Sequence, residues 1–167
     1  MVAYLHVTFG SCGVLQMVQQ RYPQRPLLLV VDEGDADRYQ LLELTHTKKS
    51  VFAMPTTYTI LACLHASLAV RGWLNFDMIT LPDLQRENFI KRLLANTTLQ
   101  QATGLINMYL LQRTDNGQQL AILTTWQTRA DWQKWHTATD SLLSEYETEA
   151  SRYSLRRKQY HFAALSK

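Results

Sequence analysis

The chain has 167 residues, 46% of them apolar, which is enough to bury a hydrophobic core as one domain or as two small halves. The formal net charge is only +3, so we expect no nucleic-acid partner. Four cations lie together near the C-terminus and fit either a solvated face or a contact with phosphate or propionate groups: Arg152, Arg156, Arg157 and Lys158.

The cysteine content and the apolar stretches indicate the cellular compartment in which we expect the protein. Cys12 and Cys63 are too few for a disulfide framework and form no C-x-x-C motif, so we expect reduced thiols. The first twenty residues have no early Lys or Arg and are interrupted by Gly and Ser, which argues against a signal peptide. The apolar stretch 59–70 is too short to cross a bilayer, which needs roughly 20 residues. We therefore expect a cytoplasmic protein with no membrane span.

The N-terminal part begins with a strand in VAYLHVTF and a helix in CGVLQMVQQRY. Two further strands are predicted in PLLLVVDE and RYQLLELT, and SVFAM is a candidate for a third short strand. Pro55 is typical of a first helical turn. The apolar residues of TTYTILACLHASLAV then predict a helix that lies across the sheet.

The C-terminal part restarts after Gly72 with a strand-like segment, WLNFDMITL. One face of this strand carries Trp73, Asn75, Asp77 and Ile79. The two polar residues at consecutive positions on that face indicate either the lining of a partly polar cavity or the solvated side of an edge strand.

A helix is predicted to begin at Pro82 and Asp83. The clearest supersecondary signal follows in GLINMYLLQRTDNGQQLAILTTW, where the turn at residues 115–117 predicts a β-hairpin. Thr128 with Asp131 three residues later resembles a capping box and predicts a helix start. A last strand, QYHFAAL, is predicted after the basic segment.

The order β-α-β-β-(β)-α followed by β-α-β-β-α-β predicts an α+β fold with two ferredoxin-like halves. We place the N-terminal α+β half at residues 1–70 and the C-terminal ferredoxin-like domain at residues 71–167. A single ferredoxin-like sheet leaves one face open, so it must bury that face against a second sheet. That sheet comes from the other half of the chain, as an internal pseudo-dimer, or from a second chain in a homodimer. We favour the first.

Three tryptophans fall within ten positions after the hairpin. Trp126 ends a strand and Trp132 lies on the packing side of a short helix, so both are expected in the core. Trp135 has two interpretations. It is either the wall of a pocket for a small flat apolar or aromatic ligand, or it extends the buried face that Trp132 begins.

The segment LAILTTWQTRADWQKW, after a hairpin whose first strand lies in TGLINMYLLQR, resembles the signature of the antibiotic-biosynthesis-monooxygenase (ABM) superfamily. YLHVTFGSCGVLQ and VFAMPTTYTIL are similar to the corresponding stretches of two-half bacterial haem-degrading monooxygenases and of the related signal transduction protein TRAP. The resemblance covers nearly the whole chain. It implies a dimeric α+β barrel, in which two ferredoxin-like antiparallel sheets face each other.

The resemblance also implies a site. Haem-degrading members use an Asn on the first strand of the domain, a Trp on its second helix, and a His ten residues after that Trp as iron ligand. Here the Trp is Trp135, the Asn position holds Asp77 with Asn75 two residues earlier, and the His position holds Glu145 beside Tyr146. Ionised Asp77 can only accept hydrogen bonds, and Glu145 is a hard anionic ligand. Standard haem-degrading chemistry therefore lacks two of its three residues.

The histidines offer no clear replacement for the missing ligand. His136 follows Trp135, and a helical rotation of about 100° per residue predicts that it points away from the face of Trp135. No metal-ligand spacing is present among the others, which are His6, His46, His65 and His161.

The leading hypothesis is a monooxygenase-like protein that binds a flat apolar ligand in its C-terminal half. Asp77, Asn75 and Trp135 are its candidate catalytic residues, and Trp135, Glu145 and Tyr146 are its candidate cofactor-binding residues. The resemblance makes haem the candidate cofactor; a second version oxidises a phenolic substrate without any cofactor. The alternative is a non-enzymatic signalling or stress scaffold resembling TRAP. A ligand pocket needs open apolar lining around Trp135, whereas a scaffold fills that space with side chains.

Overall fold

The computed structural model describes residues 2–65, 69–138 and 143–163. Within these ranges the elements are, in chain order, β1 (Tyr4–Gly10), α1 (Cys12–Arg21), β2 (Leu27–Asp32), β3 (Asp35–Thr45), β4 (Thr56–Leu64), β5 (Trp73–Thr80), α2 (Asp83–Leu94), α3 (Thr97–Gln100), β6 (Leu105–Arg113), β7 (Gln119–Trp126), α4 (Arg129–Ala138), α5 (Ser144–Glu147) and β8 (Arg156–Phe162).

The strands close into one antiparallel barrel in the order β1-β3-β2-β8-β5-β7-β6-β4. The four N-terminal strands are ordered β4-β1-β3-β2 and the four C-terminal strands β8-β5-β7-β6, so both sets share one relative order. The sets join where β2 pairs with β8 and where β4 pairs with β6. This confirms the α+β fold of two ferredoxin-like sheets, and no partner chain is needed to close the barrel. The predicted boundary between residues 70 and 71 falls between β4 and β5 and stays a prediction.

The C-terminal hairpin is confirmed. Strands β6 and β7 pair from Leu105 opposite Trp126 to Gln112 opposite Leu120. The helix start after the hairpin is also confirmed, because the Thr128 hydroxyl accepts a hydrogen bond from the Asp131 amide at 3.1 Å. The same hydroxyl donates a hydrogen bond to the Asp131 carboxylate at 2.8 Å, so two hydrogen bonds join Thr128 and Asp131 at the start of the helix.

The predicted helix after Pro55 is wrong, because the segment is strand β4. It pairs with both β1 and β6 and so closes the barrel. A short apolar run does not distinguish a buried strand from a helix by periodicity, and the β-branched residues at its start favour a strand: Thr56, Thr57, Thr59 and Ile60. Residues 66–68 of the predicted helix lie outside the described residues.

Two further strand predictions need correction. SVFAM forms bends rather than a strand, and its Phe52 is buried against α1 and the outer face of the N-terminal sheet. The last strand begins at Arg156, so Arg156, Arg157 and Lys158 lie within β8 and do not precede it. Residues 164 and 165 of that prediction lie outside the described part of the chain.

The core has three layers. One cluster fills the barrel, including Leu74 and Tyr109, and a second lies between the C-terminal sheet and its helices, including Phe89 and Trp126. A third packs α1 on the N-terminal sheet around Leu15. Among the described helices none is long and apolar enough to cross a membrane. Neither cysteine is in a disulfide, and Cys12 and Cys63 are both half-buried.

Strand β5 divides the two layers of the C-terminal half. It pairs with β7 on one side and β8 on the other, so the interpretation of it as an edge strand is wrong. Leu74 and Phe76 point into the barrel, whereas Trp73 and Ile79 join the cluster under the helices. The polar residues Asn75 and Asp77 are therefore placed beneath the helices by the alternation of the strand.

Candidate functional site

The structure brings three of the sequence-predicted site residues into one small cavity between β5 and the C-terminal helices. These are Asn75, Asp77 and Trp135. The cavity is also lined by Leu93, Asn96, Leu99, Ile122, Thr124, His136, Leu143 and Arg157.

The carboxylate of Asp77 is fully engaged by its neighbours. Arg157 Nε donates to Asp77 Oδ1 at 2.7 Å, and Asn75 Nδ2 donates to Asp77 Oδ2 at 2.7 Å. Burial raises the pKa of the Asp77 carboxyl, against the opposing effects of the Arg157 guanidinium and the Asn75 amide. Both oxygens of the side chain thus bind protein groups.

The amide of Asn75 is engaged as well. It donates to Asp77, and its oxygen accepts a hydrogen bond from Gln159 Nε2 at 3.2 Å. Gln159 and Arg157 lie directly opposite Asn75 and Asp77 in the β5–β8 ladder. Two cross-strand pairs on one face of the sheet therefore use the polar groups that a bound molecule would otherwise meet.

Arg157 extends this network to the helices. Its Nη2 donates to Glu147 Oε1 at 2.9 Å, and its guanidinium lies over the ring of Trp132, 5.3 Å from the ring centroid. A guanidinium between two carboxylates and an aromatic ring has at least two of its five N–H donors and one face occupied. Arg157 therefore ties β5 and β8 to α4 and α5.

His136 also lines the cavity, so the expectation that it points away from Trp135 is wrong. Its ring stacks on Trp132, with ring centroids 4.8 Å apart and planes 10° apart. His136 lies four residues after Trp132 and so shares the packing face of α4. Burial lowers the pKa of the imidazole, and the nearby Arg157 guanidinium acts in the same direction.

The core roles of two tryptophans are confirmed. Trp126 is fully buried, and Trp132 packs on Trp73 with ring centroids 5.4 Å apart. Trp135 is half-buried, with its ring 5.6 Å from that of Trp126. Its ring thus both extends the core face and borders the small cavity.

Glu145 and Tyr146 do not line this cavity. Glu145 forms an ion pair with Arg92 on the protein surface. Tyr146 is buried edge-on against Phe89 and Tyr153, and burial raises the pKa of its phenol. Neither side chain lies beside Trp135 as the resemblance to haem-degrading members implies.

The cavity has a volume of about 20 Å³, enough for about one water molecule. Pockets for organic ligands are typically about 300 Å³ or larger. Over the described residues, no group of three or more His, Cys, Asp or Glu side chains is arranged to hold a metal ion. These residues do not fit haem: the acidic position is paired with Arg157, and the implied ligand position lies on the surface.

Sequence reasoning did not place Arg157, Gln159 or Glu147 in the network around Asp77. The signal for the first two was available, because alternate residues of a strand share a face and Arg157 and Gln159 are two apart. They were missed because the basic segment was placed before the last strand. The contact with Glu147 depends on how the preceding helix, α5, docks on the sheet, which no local pattern predicts.

Comparisons with known proteins support the fold. Residues 75–143 match the family model of the antibiotic biosynthesis monooxygenases. No curated protein matches the chain at the sequence level. An uncharacterised ferredoxin-fold protein from Listeria monocytogenes, related to antibiotic biosynthesis monooxygenases, superposes with a TM-score of 0.82 at 16% identity, covering 98% of this chain and 96% of that one.

Two other solved structures are similar over nearly their full length. A heme-degrading enzyme from L. monocytogenes gives a TM-score of 0.73 at 17% identity, covering 96% of this chain and 99% of that one. A major regulator of staphylococcal pathogenesis gives 0.78 at 14% identity, with the same coverage. At such identities the similarity establishes the fold alone, and residues 75–143 of this chain are similar to the antibiotic biosynthesis monooxygenase family.

Proposed function

We propose that this protein is a non-enzymatic, regulatory or scaffold member of its fold group and not a haem-degrading oxygenase. The observation that carries this proposal is the Asp77–Arg157 ion pair, which occupies the polar centre of the cavity beneath Trp135. With about 20 Å³ of space left, side chains fill the region that a flat ligand would need.

The fold is compatible with either kind of activity. One similar structure is a heme-degrading enzyme and another is a major regulator of pathogenesis. Function depends on the residues of the site and not on the fold that holds them. The engaged side chains of Asp77 and Asn75 therefore weigh more in this proposal than the similarity to either protein.

The network has a structural role that suits a scaffold. Arg157 joins Asp77 on β5, Glu147 on α5 and the Trp132 ring on α4. Removing the guanidinium would leave a buried carboxylate without its cation, which is costly. The same contacts that exclude a ligand thus hold the helices on the sheet.

We also propose a cytoplasmic location for this protein. The free thiols of its cysteines are consistent with that reducing compartment.

A second candidate function is the binding of a flat apolar ligand, with haem as the candidate cofactor, in the same place. It is favoured by one observation: Asn75, Asp77 and Trp135 do line one cavity. Such binding requires Arg157 to leave Asp77 and Glu147. The two candidates therefore differ in whether the ion pair persists when the ligand is offered.

A haemin titration of the purified protein, followed near the Soret band, separates the two candidates. For the scaffold we expect no saturable one-to-one spectrum and no difference between the wild type and Trp135→Ala. Met54→Ala controls for adsorption of haemin to the surface, because Met54 is 88% exposed in the N-terminal half. A one-to-one spectrum that Trp135→Ala abolishes, and that bleaches when reductant is added in air, would overturn the proposal.

A further inference from the structure

A second and larger cavity lies inside the barrel, on the face of β5 opposite to Asp77. Its volume is about 220 Å³. The cavity opens at one end of the barrel, where the exposed residues Phe9, Arg38 and Arg156 line it. At this end β1, β5 and β6 finish, and β3, β4, β7 and β8 begin. Neither the family match nor the resemblance to haem-degrading proteins assigns a role to this space.

The deeper walls of the cavity are apolar and aromatic. Leu42, Leu74 and Leu123 form an aliphatic surface. Beside it, the rings of Tyr58 and Phe76 meet edge to face, with centroids 5.8 Å apart and planes 77° apart. Walls of this kind favour a ligand with a ring that packs on both aliphatic and aromatic surfaces.

The entrance is strongly cationic. The lining residues include no carboxylate and four cations: Arg38, Arg113, Arg156 and Lys158. Two of these are neutralised in part, since Arg113 pairs with Asp115, and Lys158 Nζ lies 3.8 Å from Asp32 Oδ2. Arg38 and Arg156 make no ion pair with any described residue. Two guanidinium groups thus remain available to an anion at the entrance.

Two buried tyrosines, Tyr58 and Tyr160, also line the cavity. Tyr160 accepts a hydrogen bond from Gln40 Nε2 at 2.8 Å, and burial raises its pKa to about 12. Burial also raises the pKa of Tyr58, whose hydroxyl has no hydrogen-bond partner among the described residues. Both groups are therefore neutral phenols at physiological pH, with protons to donate to an anionic acceptor.

We propose that this barrel-end cavity binds a small aromatic carboxylate. The ring lies against Leu42, Leu74 and the Tyr58–Phe76 pair, and the carboxylate reaches Arg38 and Arg156 at the entrance. A cavity somewhat below the usual 300 Å³ lower limit for organic ligands suits a ligand of one or two fused rings. The two cavities lie on opposite faces of β5, so this inference does not rest on the proposed function.

Isothermal titration calorimetry with naphthoate tests the site, with naphthamide as its neutral isostere. We expect naphthoate to bind with one-to-one stoichiometry, at least roughly tenfold more tightly than naphthamide, and more weakly as salt is added. Equal binding of the two compounds would overturn the proposal, and so would no naphthoate binding at millimolar concentration. If octanoate, an aliphatic carboxylate, binds more tightly than naphthoate, the inference that the ligand is aromatic is wrong.

Substitutions at the entrance locate the ligand without disturbing the core. Arg156→Gln should weaken naphthoate binding on the order of tenfold, because Arg156 is exposed and its guanidinium makes the charged contact. Arg129→Gln, an exposed cation outside the barrel, is the matched control and should leave the affinity unchanged. Thr56→Trp, at the barrel end, should abolish binding by filling the entrance. Equal loss in Arg156→Gln and Arg129→Gln would contradict this location, whatever the haemin titration shows.

Discussion

Asp77 and Arg157 lie directly opposite each other on β5 and β8, and their side chains meet at 2.7 Å on the face covered by the helices. The Asp77 side chain is only 8% exposed, whereas that of Arg157 is 26% exposed. The pair thus places a charged contact beside the core residue Trp132, at the position where the family resemblance implies a ligand.

Arg157→Met should destabilise the fold by about 3 kcal/mol, because it leaves the buried Asp77 carboxylate without its cation. In the double variant Asp77→Asn/Arg157→Met the orphaned charge is gone, so we expect less than half of that loss. Urea unfolding followed by circular dichroism measures both. A double variant less stable than Arg157→Met would show that the two side chains do not act as a pair.

His136 makes the stability depend on pH. Burial and Arg157 lower its pKa below the ordinary value of 6.5, so the unfolded chain takes up a proton before the folded protein does. The free energy of unfolding should therefore fall as the pH drops below about 6.5. His136→Gln should remove this part of the pH dependence. Urea unfolding at a series of pH values measures it, and an identical slope in both proteins would contradict the assignment.

The tryptophans of α4 should differ in their contribution to stability. Trp132 is 7% exposed and packs between Trp73 and His136, so Trp132→Ala should cost about 4 kcal/mol. Trp135 is half-buried, and Trp135→Ala should cost less than half as much. Thermal unfolding of the two variants compares these losses; a larger cost at Trp135 would mean that it, and not Trp132, anchors the helix.

Gly72 is needed where the chain enters β5. Its φ is +84°, and a side chain there would collide with the carbonyl oxygen of Trp126. Gly72→Ala should therefore cost at least about 2 kcal/mol. Gly13 in α1 is the control, because no atom lies within 4 Å of an added Cβ; Gly13→Ala should stabilise the protein by up to about 1 kcal/mol. Denaturant midpoints of both variants test the contrast.

Local sequence patterns correctly predicted the elements whose structure is determined by residues a few positions apart in the chain. The hairpin turn at residues 115–117 and the Thr128–Asp131 cap are set by turn and capping chemistry within a few positions. The apolar run of β4 was misassigned in this way, because hydrophobic periodicity does not show that the segment pairs with β1 and β6. Its apolar residues fit a helical stripe as well as a barrel wall.

The site was predictable only in part, for the same reason. The alternation of β5 places Asn75 and Asp77 on one face, and this holds in the structure. Their partners Arg157 and Gln159 are about eighty residues away and meet them only through the β5–β8 pairing. The barrel-end cavity was also missed, because seven different strands contribute its lining.

The Nε–H group of Arg157 gives the most direct test of whether the space beneath Trp135 is closed. ¹⁵N NMR of the arginine side chains measures how fast each Nε–H exchanges with water. We expect a slowly exchanging signal that disappears in Arg157→Lys and shifts in Asp77→Asn, with the exposed Arg129 as the fast reference. If the Arg157 signal exchanges as fast as that of Arg129, the ion pair does not persist in solution and the cavity is open to a ligand.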